Sequence, residues 1–191
     1  MAEGRLTLSV WRHPKPIGAA GRCIGQTDLP IDPRRAKRLA HRIRQTARRE
    51  GLPRAVATSP LRRGADVGRW LRRWGWVHRI DARLIELDFG AWDGRRWAQI
   101  AHAEVLAWEA DFLHHAPGGG ESLAALRARV QAFLSADAAT PRLIVAHAGW
   151  INTLRTADQA ALQSADWPAA LRYGARLSCS VAAPMDSGAA S

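Results

Sequence analysis

Apolar positions along the chain follow two periods, one near two residues and one near 3.6. Leu6–Trp11 is a short apolar run interrupted by Thr7 and Ser9, and it reads as a buried strand. Arg54–Thr58 places Ala55, Val56 and Ala57 ahead of a turn and reads as a second strand. Arg142–Ala146 ends on four consecutive apolar residues, as expected of a strand covered on both faces. Leu177–Ala182 is a candidate last strand. Between these runs the period changes. Ala36, Leu39, Ala40, Ile43 and Ala47 recur at helical spacing. Asp32-Pro33 opens that helix with an N-cap and a first-turn proline, and Gly51 stops it. Ser59-Pro60 reads as a second cap and proline, for a helix running to about Trp74. Two further helices are expected near Arg95–Asp111 and Glu121–Ala136. In the latter, Leu123, Leu126, Val130, Phe133 and Leu134 form one stripe. Another helix starts near Gly149.

Strands that alternate with helices predict an α/β fold. The expected architecture is a three-layer αβα sandwich, a mostly parallel central sheet with helices on both faces. Its 191 residues suffice for one domain spanning 1–191, with a disordered tail from about residue 184, including Ser187–Ser191.

Composition narrows the class. Hydrophobic residues make up 47% and charged residues 24%, the balance of a globular protein. Leu6–Trp11 is too short for a membrane span or a secretory segment, so no membrane association is expected. Cys23 and Cys179 have no metal-ligand spacing and form no disulfide framework, which points to the cytoplasm. The net charge of +11 admits either a nucleic-acid partner or an arginine-rich surface that focuses charge toward an anionic substrate. The basic residues share Arg34–Arg49, Arg62–Arg73 and Arg95–Arg96 with helical periodicity and form no uninterrupted tail. That favours the surface reading, and nucleic acid is not the expected partner. Gly118-Gly119-Gly120 lacks the lysine of a phosphate loop and reads as a turn before a helix. His114-His115 has no third ligand at metal spacing, so no metal site is expected there.

In open α/β sheets, ligands bind beyond the carboxyl ends of the strands. The first strand is followed by Arg12 and His13, the second by Ser59 through Arg63, and the third by His147. Three strand ends therefore bring cations and imidazoles to one rim.

These residues resemble the histidine phosphatase superfamily, the phosphoglycerate-mutase-like fold, over nearly the whole chain from Leu6 to about Val181. Arg12-His13 is similar to the family's opening pair, whose histidine is phosphorylated. Ser59-Pro60-Leu61-Arg62-Arg63 is similar to its Ser-Pro-Leu-x-Arg, which puts the phosphate-binding arginine on Arg63. Leu84 to Gly94 resembles Leu-x-Glu-x-x-Phe-Gly-x-Trp-x-Gly, which puts the general acid on Glu86. Gly119 to Ser122 resembles a Gly-Glu-Ser ahead of a helix, and Val145 to Gly149 the second-histidine motif. The stretch from Gly21 to Pro30 is similar to the branch that includes α-ribazole-5′-phosphate phosphatases of cobalamin biosynthesis. The resemblance departs at Pro14-Lys15-Pro16, where Gly-Glu-Thr is usual, and at Val67, where threonine is common.

The chemistry implied is phosphoryl transfer without metal or cofactor. Arg12 and Arg63 offer forks that match phosphate oxygens, and His147, once protonated, would add a third donor. His13 must be neutral to attack, with its other nitrogen held as N–H by a nearby carbonyl. Glu86 would protonate the leaving oxygen. Pro14 removes a backbone N–H and keeps His13 extended. Lys15 either adds charge near the pocket or faces solvent. The expected partner is a small phosphorylated metabolite, and the expected assembly a monomer or homodimer. A mutase-type phosphotransferase and a non-catalytic basic binding module on the same fold are the alternatives. The nine tryptophans are expected in the core or as half-buried anchors, some able to line a pocket for an aromatic leaving group.

Overall fold

The computed structural model describes residues 5–136 and 141–182. The tail expected from about 184 lies outside the described residues.

Five strands form one sheet: β1 (Arg5–Arg12), β2 (Ala55–Thr58), β3 (Val77–Ile80), β4 (Leu143–Ala146) and β5 (Arg176–Ala182). Their order is β3-β2-β4-β1-β5. The first four of these neighbours run parallel, and β5 lies antiparallel along β1. The helices are α1 (Pro33–Arg49), α2 (Arg62–Arg73), α3 (His102–Ala110), α4 (Leu123–Leu134) and α5 (Ala148–Arg155).

Side-chain alternation along the strands separates two cores. Trp11, Val56, Leu143 and Val145 face Leu39, Ala40 and Ile43 of α1 and Val67 and Leu71 of α2. Leu8, Val10, Ala57, Ile144 and Ala146 face Leu126, Val130 and Phe133 of α4 and Trp150 and Ile151 of α5. The sandwich is therefore three layers deep. Every residue of β4 is buried, as its unbroken apolar run requires.

Capping explains where α1 and α4 begin. Asp32 accepts from the Arg34 N–H at 2.8 Å, and Ser122 accepts from the Ala125 N–H at 3.2 Å. The second expected cap is corrected. α2 starts at Arg62, and Ser59 does not cap it. Instead Asp28, from a distant loop, accepts from the Arg62 N–H at 2.7 Å. The helix expected over Arg95–Asp111 is also shorter: a 3₁₀ turn at Trp97–Gln99 comes first, then α3. The Gly118 region is a 3₁₀ turn before α4, with Gly118 at φ 61°. Strand β3 escaped the sequence reading because it is an edge strand. Val77 and Ile80 are 57% and 54% exposed, so no apolar alternation marks it.

Candidate active site

The site lies where the carboxyl ends of β1, β2 and β4 meet. His13 follows β1 directly, and its backbone N–H donates to the Ala146 carbonyl of β4 at 3.0 Å. His147 follows β4. Parallel pairing of Arg12 with Ala146 thus places both histidines side by side. Their ring centroids are 4.8 Å apart, and both rings are buried.

His13 Nδ1 lies 2.8 Å from the Pro14 carbonyl oxygen. A carbonyl can only accept, so Nδ1 carries the proton and Nε2 keeps a free lone pair. Pro14 therefore contributes an acceptor to the ring even though it has no N–H. Burial holds the His13 ring well below the usual imidazole range, and Arg63 and Arg12 push it further down. The imidazole is neutral at neutral pH.

The same logic fixes His147. Arg63 Nε donates to His147 Nδ1 at 3.2 Å, so the proton sits on Nε2 and points to Ser59 Oγ at 2.7 Å. Burial, then Arg63 and His13, holds this ring well below the usual range too. A doubly protonated His147, the condition under which the sequence allowed it a third donor, is not the form these hydrogen bonds support. It offers one N–H, shared with Ser59.

Arg63 is 1% exposed. Its Nη1 donates to the Thr27 carbonyl at 2.8 Å and its Nη2 donates to the Gly25 carbonyl. With Nε on His147, three of the five guanidinium donors are engaged and two remain. Arg12 is held differently. Its guanidinium lies 3.9 Å over the Tyr173 ring, and Nη1 donates to the Leu171 carbonyl. Arg12 Nε is buried without a partner. Burial pulls both guanidiniums down from their usual value, though an arginine stays charged.

Glu86 is buried in the loop after β3. Its Oε1 accepts from its neighbour Leu87 N–H at 3.0 Å, and its Oε2 accepts from the Gly149 N–H at 3.1 Å. The carboxyl is thereby tied to the start of α5, close to His147. A Cβ on Gly149 would stand 2.5 Å from Glu86 Oε1, so a larger residue there would displace the carboxyl. Arg12, Glu86, Gly149 and Tyr173 line one cavity of about 370 Å³.

The loop from Gly25 to Asp28 frames Arg63. Asp93 holds it with both oxygens: Oδ1 accepts from Gly25 N–H and Thr27 Oγ1, and Oδ2 from the N–H groups of Gln26 and Thr27, at 2.5–3.1 Å. Much of the Gly21–Pro30 stretch thus performs structural tasks: Cys23 is buried in the core, Gly25 packs on Leu87, and Asp28 caps α2.

A family model described as histidine phosphatase superfamily, branch 1, matches residues 8–175. The chain belongs to this superfamily. Its match spans every group described above. The glucosyl-3-phosphoglycerate phosphatase of Mycobacterium tuberculosis is 32% identical over 171 residues, covering 76% of each chain. The native structure of a mycobacterial glucosyl-3-phosphoglycerate phosphatase aligns with a TM-score of 0.73 at 30% identity, over 93% of this chain and 91% of that one. A phosphoglycerate mutase from Thermus thermophilus aligns at 0.68 and 26% identity, over 91% and 92%. This member of the superfamily is therefore similar to phosphatases and to a mutase alike, and the α-ribazole branch finds no support among these relatives.

All five expected residues, Arg12, His13, Arg63, Glu86 and His147, come together at the rim. Three further groups in contact with these residues were not anticipated. Ser59 was read as a helix cap, Gly149 as part of a motif without a task, and Tyr173 not at all. Tyr173 is the chain's single tyrosine and sits in an irregular segment where no periodicity marks a position. Lys15 is exposed, and Val67 is core packing as expected.

Proposed function

We propose that this protein is a metal-independent phosphoric monoester hydrolase that works through a phosphohistidine on His13. The observation that carries the reading is the His13 tautomer: a buried neutral ring with Nδ1–H fixed by Pro14 and Nε2 free, beside His147 and two arginines. In the first step the Nε2 lone pair attacks phosphorus and the ester P–O bond breaks. The proton of Glu86 passes to the leaving oxygen. Arg12, Arg63 and the single N–H of His147 stabilise the charge spread over the transferring group. In the second step water attacks phosphorus, Glu86 takes back a proton, and the P–N bond breaks to release phosphate.

A finer reading assigns α-ribazole 5′-phosphate, in cobalamin biosynthesis, as the substrate. It rests on the Gly21–Pro30 resemblance. The relatives point instead to glucosyl-3-phosphoglycerate. The free thiols of Cys23 and Cys179 fit the reduced cytoplasmic setting expected from their spacing.

The test is phosphate release in excess EDTA from p-nitrophenyl phosphate, α-ribazole 5′-phosphate, glucosyl-3-phosphoglycerate and 3-phosphoglycerate. At least one ester should be hydrolysed, and His13→Ala should abolish release. Undiminished release in His13→Ala contradicts the proposal. Movement of phosphate between glycerate positions without release would instead favour the mutase.

A further inference from the structure

The cavity that begins at Arg12 and Glu86 continues into a wall of rings. Phe89, Trp97, Trp108, Phe112 and Trp167 line it. The rings brace one another in series. Trp97 meets Phe89 edge-on at 6.1 Å, and Phe89 meets Trp108 at 5.9 Å and 89°. Trp108 then meets Phe112 at 5.2 Å, and Phe112 meets Trp167 at 5.6 Å. Such chains of ring contacts fix each ring by its neighbour, so the wall is formed before a ligand arrives.

Three charged side chains line this space. Arg12 and Glu86 stand at the phosphate end. Arg22 lines the rim, is exposed, and gives Nη1 to the Gly94 carbonyl at 2.8 Å. The ring wall itself carries no ionised group. Trp108 Nε1 is buried behind the ring face, and the indole N–H groups of Trp97 and Trp167 are the other polar atoms of the wall.

We propose that the site selects phosphomonoesters whose leaving alcohol carries an uncharged planar ring system, with Trp108 and Trp167 as the specificity-determining residues. This inference rests on the phosphatase reading above. A flat ring system buries its faces against the wall and needs no hydrogen-bond partner there. A polyol brings several hydroxyls, and those pressed on ring carbons would lose water without replacement. A carboxylate would have Arg22 alone to meet it beyond the phosphate end. The wall thus distinguishes this chain's leaving group from the glucosylglycerate named for its relatives.

The probes are 2-(2-naphthyl)ethyl phosphate, glycerol 3-phosphate and 3-phosphoglycerate. Each is titrated calorimetrically into His13→Ala, and each is turned over by the unaltered protein. The naphthylethyl ester should bind at least about tenfold more tightly than the other two, and quench tryptophan fluorescence. Trp108→Leu from the middle of the ring series, or Trp167→Leu from its end, each combined with His13→Ala, should shrink that ratio to within about threefold. Equal affinities, or a preference for 3-phosphoglycerate that Arg22→Ala removes, would overturn the inference. Tight naphthylethyl binding with no hydrolysis would sustain it while overturning the phosphatase reading. Hydrolysis of all three esters with equal kcat/KM, and equal binding, would do the reverse.

Discussion

In the proposed mechanism His13 and Glu86 divide the chemistry, and each is set by backbone partners rather than by side-chain ion pairs. Pro14 fixes the His13 tautomer through its carbonyl, and the N–H groups of Leu87 and Gly149 fix the Glu86 carboxyl. Replacing Glu86 by Gln keeps the shape and one of the two acceptor oxygens but removes the transferable proton. We expect kcat for an alkyl phosphate to fall by about 10²–10⁴-fold. KM should change by less than about threefold. Steady-state kinetics on the alkyl ester test this, and a large rise in KM with kcat intact would assign Glu86 to binding. At this scale, residues in contiguous motifs were legible in the sequence: Arg12, His13, Arg63, Glu86 and His147. Tyr173 was not, because a lone aromatic in an irregular segment carries no pattern until the fold lays its ring under the Arg12 guanidinium. The protonation state of His147 stayed open in the sequence for a related reason. Only the folded arrangement reveals that Arg63 occupies its Nδ1 lone pair.

Elements deliver these residues by pairing register. Arg12 opposite Ala146 aligns the ends of β1 and β4, and Thr58 opposite Val145 brings the end of β2 alongside, so that Ser59 reaches His147. Buried strands and the capped helices α1 and α4 were readable from periodicity and caps. The edge strand β3 was not, since it is half solvated and too short to show alternation. The start of α2 was displaced because its real cap, Asp28, comes from 34 residues upstream, which no local pattern encodes. The N-terminal turn of α5 brings Gly149 against the Glu86 carboxyl. Gly149→Ala should push the Glu86 carboxyl from its seat and lower kcat by about 10²-fold, as a displacement near 1 Å does. Circular dichroism should show the fold retained. Wild-type kcat in this variant would contradict the positioning role of the Gly149 contact.

The whole molecule carries its charge unevenly. Residues 33–80 hold fifteen Lys and Arg against two acids, while the rest of the chain holds thirteen against fifteen. The surplus therefore resides in α1, α2 and the strands beside them, a layer that adjoins the rim and draws dianions toward it. Buried neutral imidazoles set the acid response. His13 and His147 sit well below the usual range through burial, and burial beside Arg72 and Arg69 lowers His78 to about 4. In the unfolded chain each titrates near 6.5. Below that pH the unfolded state binds protons that the folded state refuses, so stability is full above about pH 6.5 and declines as pH falls toward the folded values. Calorimetry should find Tm constant from about pH 8 to 7 and falling steadily from about pH 6.5 to 5. A Tm that rises on acidification across that window would show that these rings are charged in the fold.

The most direct test is to catch the phosphoryl group on the protein. Rapid mixing with a hydrolysable ester, quenching in alkali and mass spectrometry of the peptides should find phosphate on His13, at Nε2. The label should be absent from His13→Ala and should accumulate in Glu86→Gln with an aryl ester whose leaving group needs no proton. Turnover with no phosphorylated peptide at any time point, or with the label on His147, would contradict the account.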